Sequence, residues 1–292
     1  MPIDLLLTGH DKDLGGGFVV RRLLPAGQRQ AVGPFLFFDH FGPATQNPQD
    51  NHDVRPHPHI GLATVTYLFD GAIAHRDSLG SVQEILPGAI NWMTAGSGIA
   101  HSERRPERLA QQHYVNHGLQ LWAALPEAHE EAPPAFQHTP AAAIPELNVD
   151  GVKVRVLIGQ AFGHQSPVTT FSETLYLDVA LQPGAAFVLP ALAEERAVYA
   201  VDGDLTVDGT PVAVRQMAVL KAGEPAVIRC EQPARLAVIG GAPMAHRHIW
   251  WNFVSSRKER IVQAADDWEA GRFDAVPGET EFIPLPERRF KP

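Results

Sequence analysis

The strongest constraint on this chain is its rhythm of short alternating segments broken by turn residues. Val152, Val154, Val156 and Ile158 recur at every second position, as do Leu175, Leu177 and Val179. In a strand successive side chains point to opposite faces, so this period lays one face on a core. "VDGDLTVDG", residues 201–209, sets two Asp-Gly pairs around a short strand and predicts a hairpin. With 25 glycines and 25 prolines as punctuation, many short strands predict an all-β barrel or sandwich. Five prolines and no sustained period in 126–145 mark a break. The expected organisation is a first domain at 1–130, a linker at 131–145 and a second domain at 146–292. Helix is predicted only in "SSRKERIVQAADDWEAGRF", with Ser256 and Glu259 as a capping box, Ile261, Ala264 or Ala265 and Trp268 on one face, and Gly271 as the stop. This helix is expected on a barrel exterior.

Apolar residues make up 45% of the 292 and charged residues 20%, the balance of a soluble globular protein. No apolar run is long enough to cross a bilayer, and neither a membrane span nor a signal peptide is expected. A net charge of −9 argues against a surface that neutralises many phosphates, so direct nucleic-acid binding is not expected. Cys230 is the only cysteine, which excludes an intrachain disulfide, limits any metal site to nitrogen and oxygen donors, and points to a reducing cytoplasm.

Fourteen histidines are many for this length. His57 and His59, in "RPHPHIGLATVTYLFDG", leave one strand face roughly 6.6 Å apart, close enough to converge on one ion. Pro58 between them has no amide hydrogen, which places this strand at a sheet edge or puts the histidines at a strand's start, and holds His57 extended. Two donors are too few for a metal centre, which uses three or four. The pattern resembles the cupin motif, in which HxH is followed by a glutamate and, seven residues later, a glycine. Gly71 stands where the glycine belongs, but seven residues back is Thr64, so the glutamate is missing. A cupin barrel sets a second motif beside the first, and "PGAINWMTAGSGIAHSE" there supplies His101 and Glu103, again two apart. The expected metal ligands are His57, His59, His101 and Glu103. Three imidazoles and a carboxylate suit Fe(II), Mn(II), Co(II), Ni(II), Cu(II) or zinc, and in an octahedral shell leave two positions open.

"HPHIGLATVTYLFDG", "HRDSLG", "PGAINWMTAGSGIAHSE" and "GLQLWAALP", spread over about residues 30–126, resemble the signature segments of the pirins, a branch of the bicupins. The resemblance implies two tandem cupin (jelly-roll) β-barrels with a short C-terminal helix. It implies Fe(II) as cofactor, and cleavage of flavonols such as quercetin in the manner of a quercetin 2,3-dioxygenase, with carbon monoxide released. Glu103 would then be the catalytic base that takes the flavonol 3-hydroxyl proton. Pirins are also described as transcriptional cofactors, so the alternative is a non-catalytic, metal-loaded redox sensor acting through a protein partner. The ending "HRHIWWNFVSSRKER" departs from the eukaryotic tail and suggests a bacterial member.

Other polar residues have plainer readings. His75 beside Arg76 and Asp77 reads as a solvated turn residue, and the sharper alternatives are a residue that orients a metal ligand or an acid-base group of the pocket. Gln120 and Trp122 could shape a pocket or pack a core, Gly96 and Gly98 read as a turn, and Arg104 and Arg105 as exposed charges. His246 and His248 form a second HxH with no further donor at the right spacing, so no metal is expected there, and "IWWNF" reads as a buried strand. In the second barrel Gly203 takes the part of Gly71, and the same spacing puts Leu189 and Ala191 where the first barrel has histidines, which predicts a structural barrel.

Overall fold

A computed structural model describes residues 2–15 and 17–290. The chain is all-β, with two cupin domains and one α-helix near its C-terminus. It divides into two compact units: residues 13–20, 40–141 and 245–292 form one, and residues 1–12, 21–39 and 142–244 the other. No helix among the described residues is long and apolar enough to cross a membrane.

The first of these units carries the histidine motifs. One of its sheets has four strands in the order Val54–His59, Ile99–Arg104, Ile73–Asp77, Val82–Ile85. The other contains Ala135–Thr139, Ile90–Thr94, Leu62–Asp70 and Tyr114–Ala124 in that order. Val54–His59 is an edge strand, one of the two places Pro58 allows. The expected linker, by contrast, carries a strand: Ala135–Thr139 pairs antiparallel with Ile90–Thr94. Its flanking prolines end that strand on both sides without preventing its ladder.

The second unit has a seven-stranded sheet in the order Ile3–Leu7, Met217–Leu220, Glu195–Ala200, Ala234–Gly241, Thr174–Leu181, Val152–Ile158, Glu146–Val149. A four-stranded sheet runs Ala186–Leu189, Ala226–Arg229, Leu205–Val207, Thr210–Val212. The predicted hairpin forms at Asp208 and Gly209, both at positive φ (46° and 77°), which a two-residue hairpin turn of this hand requires. Ile3–Leu7 pairs with Met217–Leu220, so the N-terminal strand belongs with the second barrel. The alternating burial of Ile3, Leu5 and Leu7 makes it a one-faced strand suited to that edge.

Helix Lys258–Glu269 groups with the histidine-bearing unit, whereas the sequence reading attached it to 146–292. The reason lies in its apolar face: Ile261, Ala264 and Ala265 are buried against Ile60 and Phe253, with Trp268 packed beside them. The capping box does not form, and Arg257 precedes the helix without a side-chain cap. Ser256 instead donates its hydroxyl to Glu130 Oε2 at 2.8 Å, and its amide to the same carboxylate. Glu130, itself buried, also pairs with the buried Arg247 at 2.6 Å. Gly271 follows the helix at φ 66°, as expected of the stop. "IWWNF" is a tight hairpin of His248–Trp250 and Phe253–Ser255, with Trp251 at φ 54° in its turn.

Among the described residues, Arg196 is the one charged side chain sealed in the second barrel at 0% exposure. Its guanidinium donates to the carbonyls of Pro190 (2.6 Å), Lys221 (3.1 Å) and Glu224 (2.6 Å), tying two loops together. Arg196→Met keeps the volume but leaves those carbonyls without donors, and is expected to cost about 3 kcal/mol or more. Urea unfolding checks this; an unchanged midpoint would show that the carbonyls find other partners.

Candidate metal centre

Two antiparallel neighbours bring the histidines together. His101 lies directly opposite His57 in the ladder between Val54–His59 and Ile99–Arg104, and Ile99 lies opposite His59. The register then slips, so that Glu103 faces Val54. On the other side Ile99–Arg104 pairs without a slip to Ile73–Asp77, so the extra residue of the bulge sits on the edge strand at Arg55 and Pro56. A proline tolerates that place because a bulged residue is left out of the ladder.

The imidazoles of His57, His59 and His101 each offer a nitrogen within 4.8 Å of the others, and all three residues are buried. Burial pushes their pKa values down: His57 to about 4, and His59 and His101 well below the usual histidine value, with neighbouring rings adding to the effect. They are therefore neutral at pH 7, as a metal requires of imidazole. His57 Nδ1 faces the Arg55 carbonyl at 2.9 Å and His59 Nδ1 the Asn252 carbonyl at 3.1 Å. A carbonyl only accepts, so both Nδ1 atoms carry the proton and both Nε2 lone pairs stay free.

A chain of partners sets the third ring. His75 Nε2 lies 2.9 Å from Asp77 Oδ2, and His75 Nδ1 lies 3.4 Å from His101 Nδ1. Burial pushes the Asp77 carboxyl up, but hydrogen bonds from His75 and Ser81 outweigh it and hold the group below the usual carboxylate range. An ionised Asp77 accepts a hydrogen bond from His75 Nε2–H, leaving His75 Nδ1 as acceptor for His101 Nδ1–H and freeing His101 Nε2. The Nε2 atoms of His59 and His101 stand 3.2 Å apart. Two lone pairs at that distance repel unless a cation lies between them, so the donor set fits a divalent metal ion.

Glu103 is not among the donor atoms that lie mutually within 4.8 Å. It accepts the Thr66 hydroxyl at 3.4 Å, and Thr66 also reaches Gln120 Oε1 at 2.9 Å. Burial raises the Glu103 pKa, with His75 and Thr66 only partly offsetting it. Trp122 sets its ring edge-on to His59 at 5.2 Å, so Gln120 and Trp122 both face this cluster from the opposite sheet. Gly96, at φ 51°, makes the turn into the His101 strand, where a Cβ would fall 1.9 Å from the Ala132 carbonyl oxygen.

Two plainer readings need correction. His75 is 4% exposed on a central strand, and Phe136 of the expected linker stacks on it at 4.3 Å. Arg104 is half-buried among Asp53, Glu279 and Glu281, and Arg105 donates to the Pro48 and Asp50 carbonyls. Neither is a free charge. His246 is exposed, whereas Arg247 between it and His248 is buried. The local signal missed for His75 was "HRD": its alternation puts His75 and Asp77 on one strand face.

The pH dependence of the metal-free protein follows. Unfolded histidines titrate near 6.5 and His57 near 4, so the unfolded chain binds more protons between those values. Stability is therefore full above about pH 6.5 and falls as pH drops toward 4, His57 alone removing on the order of 3 kcal/mol. Urea midpoints measured from pH 8 to pH 4 check this, and a flat profile would contradict it. Asp77→Asn keeps an oxygen for the Leu79 and Ser81 amides but turns its NH2 donor toward His75 Nε2, which reverses the tautomers of His75 and His101, and is expected to weaken Co(II) binding roughly ten-fold in a chelator competition.

Comparison with known proteins places the whole chain in a family. The Pirin family model matches residues 17–123, and the model of the pirin C-terminal cupin domain matches 176–274. A pirin-like protein of Caulobacter vibrioides is 47% identical over 291 residues, covering 98% of this chain and all of that one. Human pirin is 33% identical over 275 residues, 91% of each chain. The crystal structure of a quercetin 2,3-dioxygenase from Acinetobacter baumannii superposes with a TM-score of 0.89 at 33% identity, covering 98% of this chain and 97% of that one. Two family models matched in tandem, and relatives such as the 47% identical Caulobacter protein that align along nearly the whole length, establish that this chain belongs to the pirin family.

Proposed function

We propose that the protein is an Fe(II)-dependent dioxygenase that opens the ring of flavonols such as quercetin, with His57, His59, His101 and Glu103 as metal ligands. The observation that carries this reading is the convergence of three neutral, buried imidazoles with free Nε2 atoms beside a carboxyl of raised pKa. The solved Acinetobacter baumannii relative named quercetin 2,3-dioxygenase supports the substrate class. Ferrous ion in such a site supplies a Lewis acid for the flavonol oxyanion and the redox chemistry that dioxygen requires.

The chain's own residues supply the proton handling. Glu103 accepts the flavonol 3-hydroxyl proton, and burial makes its carboxylate a stronger base than one in water. The Thr66 hydroxyl, which reaches both Glu103 and Gln120 Oε1, faces that carboxylate from the other sheet, and Trp122 keeps the His59 side of the site apolar. Both atoms of dioxygen enter the opened product and one ring carbon leaves as carbon monoxide. Leu189, buried in the apolar core of the second barrel, and Ala191 offer no donors, so the reading gives that barrel a structural role.

The test is anaerobic purification, Fe(II) loading, then quercetin and air, with carbon monoxide and flavonol absorbance followed together. Wild-type turnover is expected, with a loss of at least about a hundred-fold in His101→Ala. Metal binding without gas release across a flavonol panel would overturn the enzyme reading in favour of a redox sensor that acts through a protein partner.

A further inference from the structure

The two ligand-bearing strands are gripped from outside by the C-terminal segment. Glu279 is nearly buried, its side chain 9% exposed. Its Oε1 accepts the Ser102 hydroxyl at 2.7 Å and Arg104 Nε at 2.9 Å, and its Oε2 takes Arg104 Nη2 at 2.5 Å. Arg104 is also held by Glu281 (3.0 Å) and Asp53 (3.3 Å), and Asp53 accepts the Arg105 amide at 2.8 Å. Four residues on, the Ile283 amide donates to the Pro56 carbonyl at 2.8 Å, and the Ile283 carbonyl receives Trp268 Nε1 at 2.9 Å.

Strand geometry gives these contacts their meaning. Side chains alternate faces, so Ser102 and Arg104 project opposite to His101 and Glu103. Glu279 thus fastens the outer face of a strand whose inner face carries the chemistry. Pro56, on the bulge beside His57, belongs to an edge strand whose outward carbonyl lacks a sheet neighbour, and Ile283 supplies the missing donor. One short segment therefore fixes both the strand of His101 and Glu103 and the strand of His57 and His59.

We propose that Glu279 is a positioning residue of the metal centre and that segment 276–283 is the brace through which it acts. The proposal rests on the reading of His57, His59 and His101 as metal ligands. Releasing the brace lets the edge strand and its partner shift, so the three imidazoles no longer hold one geometry and the ion leaves faster.

The experiment uses the full chain with Co(II) as probe, measuring affinity by chelator competition, the visible ligand-field spectrum, and amide hydrogen exchange over 99–104. Glu279→Ala is expected to weaken Co(II) binding about ten-fold, alter the ligand-field bands and speed exchange in that strand. Glu279→Gln, which keeps an oxygen for Ser102 but no charge for Arg104, is expected to fall between the two, and serves alone if the alanine variant does not fold. Variants that bind Co(II) as wild type does, with the same spectrum and only a lower unfolding midpoint, would overturn the proposal and leave Glu279 a stability residue. Wild type that binds no Co(II), or binds it equally well as His101→Ala, would instead sink the ligand reading itself.

Discussion

Everything at this site depends on keeping three imidazoles unprotonated inside a barrel. Moving a charged imidazole out of water is costly, so burial alone selects the neutral form. Neutrality does not fix which nitrogen is bare. That is decided by what each Nδ1 meets: a carbonyl of the edge strand for His57, a carbonyl of the Trp251–Asn252 turn for His59, and the Asp77–His75 pair for His101. The first lies two residues away in sequence, but the other two come from separate stretches, Asn252 193 residues from His59 and His75 26 from His101. The metal-facing lone pairs are thus a property of the folded unit and do not belong to the HxH motif alone.

Much of the fold was legible because its signals are local. Period-two alternation, Asp-Gly turns and the helical spacing of Ile261, Ala264 and Ala265 each rest on a few neighbouring residues, and each appears in the structure. Pro58 allowed an edge strand or a strand start, since a missing amide hydrogen is a local fact with a topological consequence, and the structure has the edge strand. What misled was context. Five prolines suggested a linker, yet a short strand fits between them because it needs only one ladder neighbour. Ser256 and Glu259 matched a capping box, but Glu130 offered Ser256 a buried carboxylate instead.

The site shows the same division. His57, His59 and His101 followed from spacing together with the cupin resemblance, and the structure brings their nitrogens together. His75 was read as a turn residue because charged neighbours in sequence usually mean solvent. Alternation sends its neighbour Arg76 to the other face, where it is exposed, while His75 and Asp77 turn inward. Glu279 carried no signal at all. Its role arises from meeting Ser102 and Arg104 across more than 170 residues of chain, and no periodic pattern encodes such a contact.

Set beside the histidine cluster, Arg196 shows why a buried polar group does not by itself make a metal site. A guanidinium has donors and no lone pair, and those of Arg196 are directed at loop carbonyls. It can stiffen a barrel but cannot bind a cation. Each imidazole of His57, His59 and His101 spends one nitrogen on the protein and keeps the other, a division only histidine among the side chains allows while neutral. Retaining that second nitrogen leaves a site whose own partners do not satisfy it, and the fold must hold the rings in place against their mutual repulsion. The bulge at Pro56, the turn at Gly96 and the carbonyl of Asn252 all serve that end. They are rigid backbone features, which is what a site needs if its geometry is to exist before its ion arrives.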